Sequence, residues 1–346
     1  MSVCKQALGK QSIKFTNSVY LINAASVVGK KEGEGPLSAY FDSVLEDDLN
    51  GCNTWEEAES TLQRDAVLWL LKKTDTRIQN VRYLLGGDLL GQSIASTFGL
   101  MTFEVPYFGL YGACSTCGLS LSLGSMIIAG DYAENVICVT SSHFASAEKE
   151  FRFPLCYGNQ RPLSSTWTVT GSGAFLLSNN DKNGAKAKIT GITTGKIIDY
   201  GVKDTMNMGA CMAPAAADVI ATHLKDFSIS PDYYDAIYTG DLGNVGKTVL
   251  TDLLHQKEIY IDELLHDCGL EIFDCKAQNT QSGGSGCGCS ATVLAAYILN
   301  QLEKGTLKRV LFVPTGALLS KTSFNEGKSI PGIAHAIALE STNISM

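Results

Sequence analysis

The feature that most limits what this chain can fold into is an internal repeat. Val81–Gly91 reads VRYLLGGDLLG and Asp235–Val245 reads DAIYTGDLGNV, each a strand running into Gly-Asp-Leu. Next comes a Gly/Cys turn and a long apolar helix: GACS at Gly112–Ser115 in the first half, GGSGCGCS at Gly283–Ser290 in the second. Each helix is followed by a charged turn and a strand, Asp131–Thr140 and then Glu303–Thr315. Each half closes on a further strand, GSGAFLLS at Gly171–Ser178 and IAHAIALES at Ile333–Ser341. The order β, α, β, Gly-turn, α, β, β thus occurs twice. The polar stretch Asn179–Lys186 separates the halves, so residues 1–180 and 187–346 are expected to form two similar units.

Strands are expected at Val19–Ala25, Val81–Leu85, Tyr107–Tyr111, Val136–Thr140, Ala174–Leu177, Ala187–Thr193, Ala236–Thr239, Val310–Val313 and Ala334–Leu339. Helices lie between them, and this alternation predicts mainly parallel pairings covered by helices. The helix near Trp55–Lys73 opens on a capping box, in which Thr54 bonds the amide of Glu57 and the Glu57 side chain reaches back. Pro214 suits the first turn of a helix running towards Phe227.

From Val105 to Gly130 there is no charge, which raises the question of a membrane span. Pro106 and five glycines interrupt the stretch. Its helical part, Ser115 to Ala129, is about 22 Å long at ~1.5 Å per residue, short of a ~30 Å hydrocarbon core. A helix buried on all sides explains it better. Two halves stacked face to face would place this helix and its counterpart after Ser290 in a buried middle layer. Residues Met1 to Lys14 have no apolar core of a secretory signal, so a cytoplasmic chain is expected. The formal net charge of −8 opposes a broad grip on nucleic acid or anionic lipid. The 11 cysteines are scattered and odd in number, which suits buried apolar thiols better than a disulfide framework. Cys114-x-x-Cys117 with Cys287-x-Cys289 could form a four-thiolate metal set, but the Cys-x-Cys spacing is too tight for the usual finger, and no metal or cofactor is expected.

Glycine supplies the tight backbone at each turn. A residue there sits at a helix N-terminus, where unpaired amides and the dipole favour negative charge. Cys114 should therefore have a lowered pKa and be a nucleophile or part of an anion pocket. The plain alternative is a small core thiol.

These residues resemble the thiolase superfamily, whose nucleophilic cysteine follows a strand and opens a buried helix. The resemblance implies a five-layered α-β-α-β-α fold and a homodimer formed through edge strands of the first half. The departures bear on function. Where thiolases carry Gly-His-Pro, this chain has Gly284-Ser-Gly-Cys-Gly-Cys-Ser; where they carry Cys-x-Gly-Gly-Gly, it has Thr315-Gly-Ala-Leu-Leu319. Ketoacyl synthases place a histidine and an asparagine after the second-half strands; here the match is Thr239-Gly-Asp-Leu-Gly-Asn244, with Asp241 where a base is wanted. Acyl condensation needs an activated thiolate and a proton moved at the α-carbon, and the partners for both are missing.

More closely, the chain resembles a family of thiolase-fold stage V sporulation proteins. The matching runs include GDLLGQ at Gly87–Gln92, GACST at Gly112–Thr116, TSSHFASAEKEFRFP at Thr140–Pro154, TVTGSGAF at Thr168–Phe175 and TGDLGNVG at Thr239–Gly246. The resemblance implies non-catalytic binding of dipicolinic acid, alone or with Ca2+, in support of its uptake into the developing spore and its release on germination. It also implies work beside other stage V sporulation membrane proteins, peripheral to the spore inner membrane. The alternative is an acyltransferase using Cys114. A flat pyridine with two carboxylates needs donors at both ends and an apolar slot. The candidate ligand residues are Asp88, Cys114, His143, Glu148, Arg152, Cys287 and His335. Arg152 suits a bidentate carboxylate contact or a pair with Glu148 or Glu150. Asp88 suits a turn cap or a cation site; His143 a ligand or backbone contact; His335 the pocket floor or a bonded core position.

Overall fold

A computed structural model describes residues 6–151, 161–181 and 184–343. Ten strands carry the architecture. The first half contributes β1 (Tyr20–Val28), β2 (Tyr83–Gly87), β3 (Tyr107–Gly109), β4 (Asn135–Ser142) and β5 (Gly171–Ser178). The second contributes β6 (Ala187–Thr194), β7 (Ala236–Thr239), β8 (Leu265–Asp267), β9 (Arg309–Val313) and β10 (Gly332–Ser341). The spatial order is β1-β5-β4-β2-β3 in one sheet and β6-β10-β9-β7-β8 in the other, so every strand has its counterpart five places on. All nine expected strands are present, and the strand order repeats. The two sheets touch where Ala187 pairs with Leu21 and Lys188 with Tyr20.

The longer helices are α1 (Trp55–Thr74), α2 (Ile94–Leu100), α3 (Thr116–Ala129), α4 (Phe144–Phe151), α5 (Met208–Phe227), α6 (Gly243–His255) and α7 (Cys287–Val293), the last continuing through a π turn to Glu303. Helix α1 buries Leu62, Ala66, Val67 and Leu70 against the outer face of the first sheet. Helix α5 does the same for the second sheet with Met212, Ala216, Val219 and Ile220. Between the sheets lie α3 and α7, whose Cys117, Leu121, Ile128, Cys289, Ala291 and Val293 share one core with both. The result is the five-layered α-β-α-β-α stack. It accounts by burial for the missing charges of the turn and helix from Gly112 to Ala129, whereas Pro106–Gly109 and Tyr111 are exposed, and among the described residues no helix is long and apolar enough to cross a membrane.

Three local expectations need correction. The pairings are mixed, not mainly parallel. β2 runs parallel to both β3 and β4, but β5 runs antiparallel to both β1 and β4, and β10 does likewise beside β6 and β9. The reason is the connection. A parallel neighbour needs a crossover that returns the chain to its starting end, whereas β4 ends at Ser142 and β5 begins at Gly171 directly opposite. Pro214 is not in the first turn of α5 but inside the helix, which starts at Met208 because Asn207 caps the amide of Ala210. At Thr54 the cap bond from the Glu57 amide is present at 3.2 Å, but the Glu57 carboxylate takes the amide of Asn53.

Glycine sets how closely α7 can sit on the first sheet. A Cβ at Gly173 of β5 would lie 2.7 Å from the carbonyl of Ala291. Gly173→Val should therefore force the middle layer off the sheet and cost about 1–3 kcal/mol, read as a lower urea midpoint with an unchanged slope. An unchanged midpoint would mean that this contact does not limit packing.

Candidate functional site

The site forms where the two Gly-turns meet. In the first, Ala113 adopts a left-handed φ of 50°. The Ser115 hydroxyl bonds the Gly112 carbonyl at 2.6 Å, and Thr116 takes the Gly112 amide at 3.0 Å. This holds Cys114 one residue before the cap of α3. In the second, Gly286 has a φ of 102°, and any side chain there would strike the Ser142 hydroxyl. Ala113 and Cys114 from one turn and Ser285 and Gly286 from the other line a single cleft. The rest of its wall comes from Leu89, Tyr111, α4 (Ala147, Glu148, Phe151), Thr168, Met208, Ala317 and Leu319. The antiparallel returns into β5 and β10 supply much of this wall, so the strand direction that the repeat did not reveal is what encloses the site. About 40 Å³ within it is open to water centres, room for a few ordered waters.

Asp241, the second Gly-Asp-Leu aspartate, lies directly behind this wall. One carboxylate oxygen accepts the Gly286 amide at 2.9 Å and the other the Thr315 hydroxyl at 2.8 Å. Its third neighbour is the Cys114 thiol. Burial pushes the Asp241 carboxyl up to about 7, against the pull of these three donors. The Cys114 thiol is pushed well above its ordinary value, first by burial and then by the Asp241 charge. This overturns the expected lowered pKa. The Ser115 and Thr116 amides at the helix end bond the Gly112 and Ala113 carbonyls, and the nearest charge is negative, so the environment favours the thiol over the thiolate. A histidine beside a thiol can form a thiolate–imidazolium pair whose charges attract. Moving the proton to a carboxylate only relocates one negative charge.

The other candidate residues scatter around the cleft. Glu148 lines it, and its partner is Arg161 at 2.7 Å, both nearly buried. Cys287 packs with Cys114, Leu89 and Ala147, its thiol 2.9 Å from the Ser141 carbonyl. Asp88 stands behind Leu89 as a turn cap, accepting from Leu90 N, Ser96 N and the Ser96 hydroxyl at 2.8, 2.8 and 2.6 Å. Those bonds occupy both its oxygens, and among the described residues no cluster of three or more His, Cys, Asp or Glu could hold a metal. His143 is spent on backbone: one ring nitrogen bonds the Asp48 carbonyl at 2.8 Å and the other takes the Ala145 amide at 3.2 Å. Burial holds its pKa low. His335 stands against Gly118 of α3, takes the Gly195 amide at 3.4 Å, and is held by burial at a pKa of about 4. Arg152 lies outside the described residues.

Sequence reasoning missed Arg161. Its guanidinium bonds the Thr166 carbonyl at 2.8 Å and lies over the rings of Phe144 and Trp167 at 5.2 and 4.9 Å. No helical spacing links it to Glu148, so nothing in the sequence marks the pair. Tyr111, Met208 and Leu319 were missed for the same reason: only folding brings them to one cleft. The state of the thiol can be measured by iodoacetamide labelling of Cys114. The rate should climb with pH without levelling below about pH 9. Asp241→Asn should raise it, about tenfold for each pH unit by which the thiol pKa falls. A plateau near neutral pH in the wild type would contradict a protonated thiol.

Beside this geometry stand the likenesses to known proteins. A family model described as Stage V sporulation protein AD matches residues 9–340. The Stage V sporulation protein AD of Bacillus subtilis (strain 168) is 40% identical over 332 residues, covering 96% of this chain and 97% of that protein. Among solved structures, the 3-oxoacyl-[acyl-carrier-protein] synthase III from Aquifex aeolicus VF5 is similar with a TM-score of 0.57 at 12% identity, covering 93% of this chain and 99% of that one. Human mitochondrial 3-ketoacyl-CoA thiolase gives a TM-score of 0.56 at 12% identity over 94% and 99%. At such identities these two speak for the fold alone. The fold is thiolase-like, and the chain belongs to the stage V sporulation protein AD family.

Proposed function

We propose that this chain is a non-catalytic binding protein on a thiolase-like scaffold, and that its ligand is dipicolinic acid. In this reading it supports dipicolinate uptake into the developing spore and release on germination, working peripherally at the spore inner membrane with other stage V sporulation membrane proteins. The observation that carries the non-catalytic part is that Cys114 faces a carboxyl, Asp241, while no histidine is among the described residues that line the cleft. The sporulation family and the apolar slot between the two Gly-turns support the ligand. A pyridine dicarboxylate is larger than the present cleft, so entry requires rim side chains to move. Tyr111, 47% exposed, and the part-exposed Phe151 and Met208 have the freedom to do so.

Two measurements test this together. Titration calorimetry should detect dipicolinate binding, and saturating ligand should slow Cys114 labelling. Intact mass after incubation with acyl-CoA should show no stable gain on Cys114. A covalent acyl adduct there would replace this reading with acyl transfer.

The same reading includes a homodimer. β3 is the free edge of the first sheet, and Tyr107 and Phe108 on it are exposed together with nearby Ile94, Phe98 and Met101. An apolar sheet edge left in water invites pairing with another chain. Light scattering should give about twice the 37.0 kDa chain mass, and Phe108→Asp should shift it towards one chain. A single-chain mass for the wild type at micromolar concentration would remove the dimer.

A further inference from the structure

The cleft poses an electrostatic problem for an anionic ligand. Among the described residues that line it there is no lysine, arginine or histidine. The acid on its wall, Glu148, already holds Arg161. The acid behind its floor, Asp241, has no cation partner among the described residues: its neighbours are an amide, a hydroxyl and a thiol. A dianion seated on Cys114 and Gly286 would therefore meet a second buried negative charge one side chain away, in a place where little water screens the repulsion.

We propose that the pocket takes its dicarboxylate ligand together with one proton, and that Asp241 is the group that accepts it. The inference rests on the ligand reading above. The step balances simply: ionised Asp241, one proton from solvent and the dianion give a neutral Asp241 carboxyl beside the bound dianion. The site is built to tolerate both states. Thr315 Oγ1 donates to Asp241 Oδ1 and also accepts the Asp241 amide, so its hydroxyl can turn to accept from a protonated carboxyl while Gly286 keeps its bond to the other oxygen.

Among the described residues, the groups facing Asp241 do not supply the missing charge. From the first turn comes the Cys114 thiol. From the second come the Gly286 amide and Cys289, whose thiol goes to the Gly240 carbonyl. From the end of β8 comes Asp267, another buried acid, already holding the Thr239 hydroxyl and the amides of Leu242 and Gly243. Lys247 acts on Asp267. Asp267 raises the Asp241 pKa further, and a position of about 7 puts the proton within reach near neutral pH. An aspartate at its ordinary pKa of about 4 would need far more acid.

The test is calorimetric titration with dipicolinate in buffers of different ionisation heat, from pH 6 to 9. Both ligand carboxyls stay ionised across this range, since free carboxyls titrate near pH 4. About one proton should be taken up per ligand at pH 8 and little at pH 6, with the dissociation constant rising about tenfold per pH unit above neutrality. Asp241→Asn should abolish the uptake and flatten the profile. Glu59→Gln and Glu32→Gln remove the other buried carboxyls raised to about 8 and about 7, and both should keep it. Should Asp241→Asn fail to fold, infrared difference spectra of the wild type at pH 8 should still show a protonated carboxyl appearing on binding. Binding without proton uptake or without that band overturns this inference alone. Uptake that survives in Asp241→Asn, or is lost in Glu59→Gln or Glu32→Gln, overturns the assignment to Asp241. If dipicolinate does not bind at any pH, both the ligand reading and this inference fall.

Discussion

The close approach of one half's turn to the other half's sheet is the contact on which the rest of this molecule depends. Gly288 donates its amide to the Ser142 hydroxyl at 3.1 Å, at the end of β4. A Cβ at Gly288 would meet the Gly171 carbonyl at 2.4 Å. Backbone lies on backbone because side chains are absent at Gly171, Gly173, Gly286 and Gly288. This contact seats α7 against the first sheet and places Gly286 beside Cys114 and Asp241. Wider spacing would leave a hydrated groove in place of a buried site, and both the Asp241 carboxyl and the Cys114 thiol would relax towards their ordinary pKa values.

The same burial raises the pKa values of several acids in and around the site. Asp241, Glu59 and Glu32 are all buried, and desolvation is the largest influence on each. Glu59 is surrounded by hydroxyls from Ser141 and Ser146 and lies near Asp88. Two adjacent buried carboxylates cannot both ionise cheaply. Gln63 ties this group together by donating to Ser96, Ser141 and the Gly87 carbonyl. The polar network therefore stiffens the wall behind Leu89 and Ala147 without adding charge to the cleft.

Much of this was legible in the chain itself. The repeat, the nine main strand positions, the capped start of α1 and the two Gly-turns each depend on residues close in sequence. Periodicity, capping and glycine placement carry that information locally. The buried middle layer was legible too, because a charge-free helix too short for a bilayer has nowhere else to go. Tertiary structure alone decided the antiparallel direction of β5 and β10, the Glu148–Arg161 pair and the protonation of Cys114. Each of these depends on distances between residues far apart in the chain. A helix-end cysteine reads as activated until the fold sets a carboxylate against it, because the sign of a pKa shift follows from which charge ends up nearest and how much water remains.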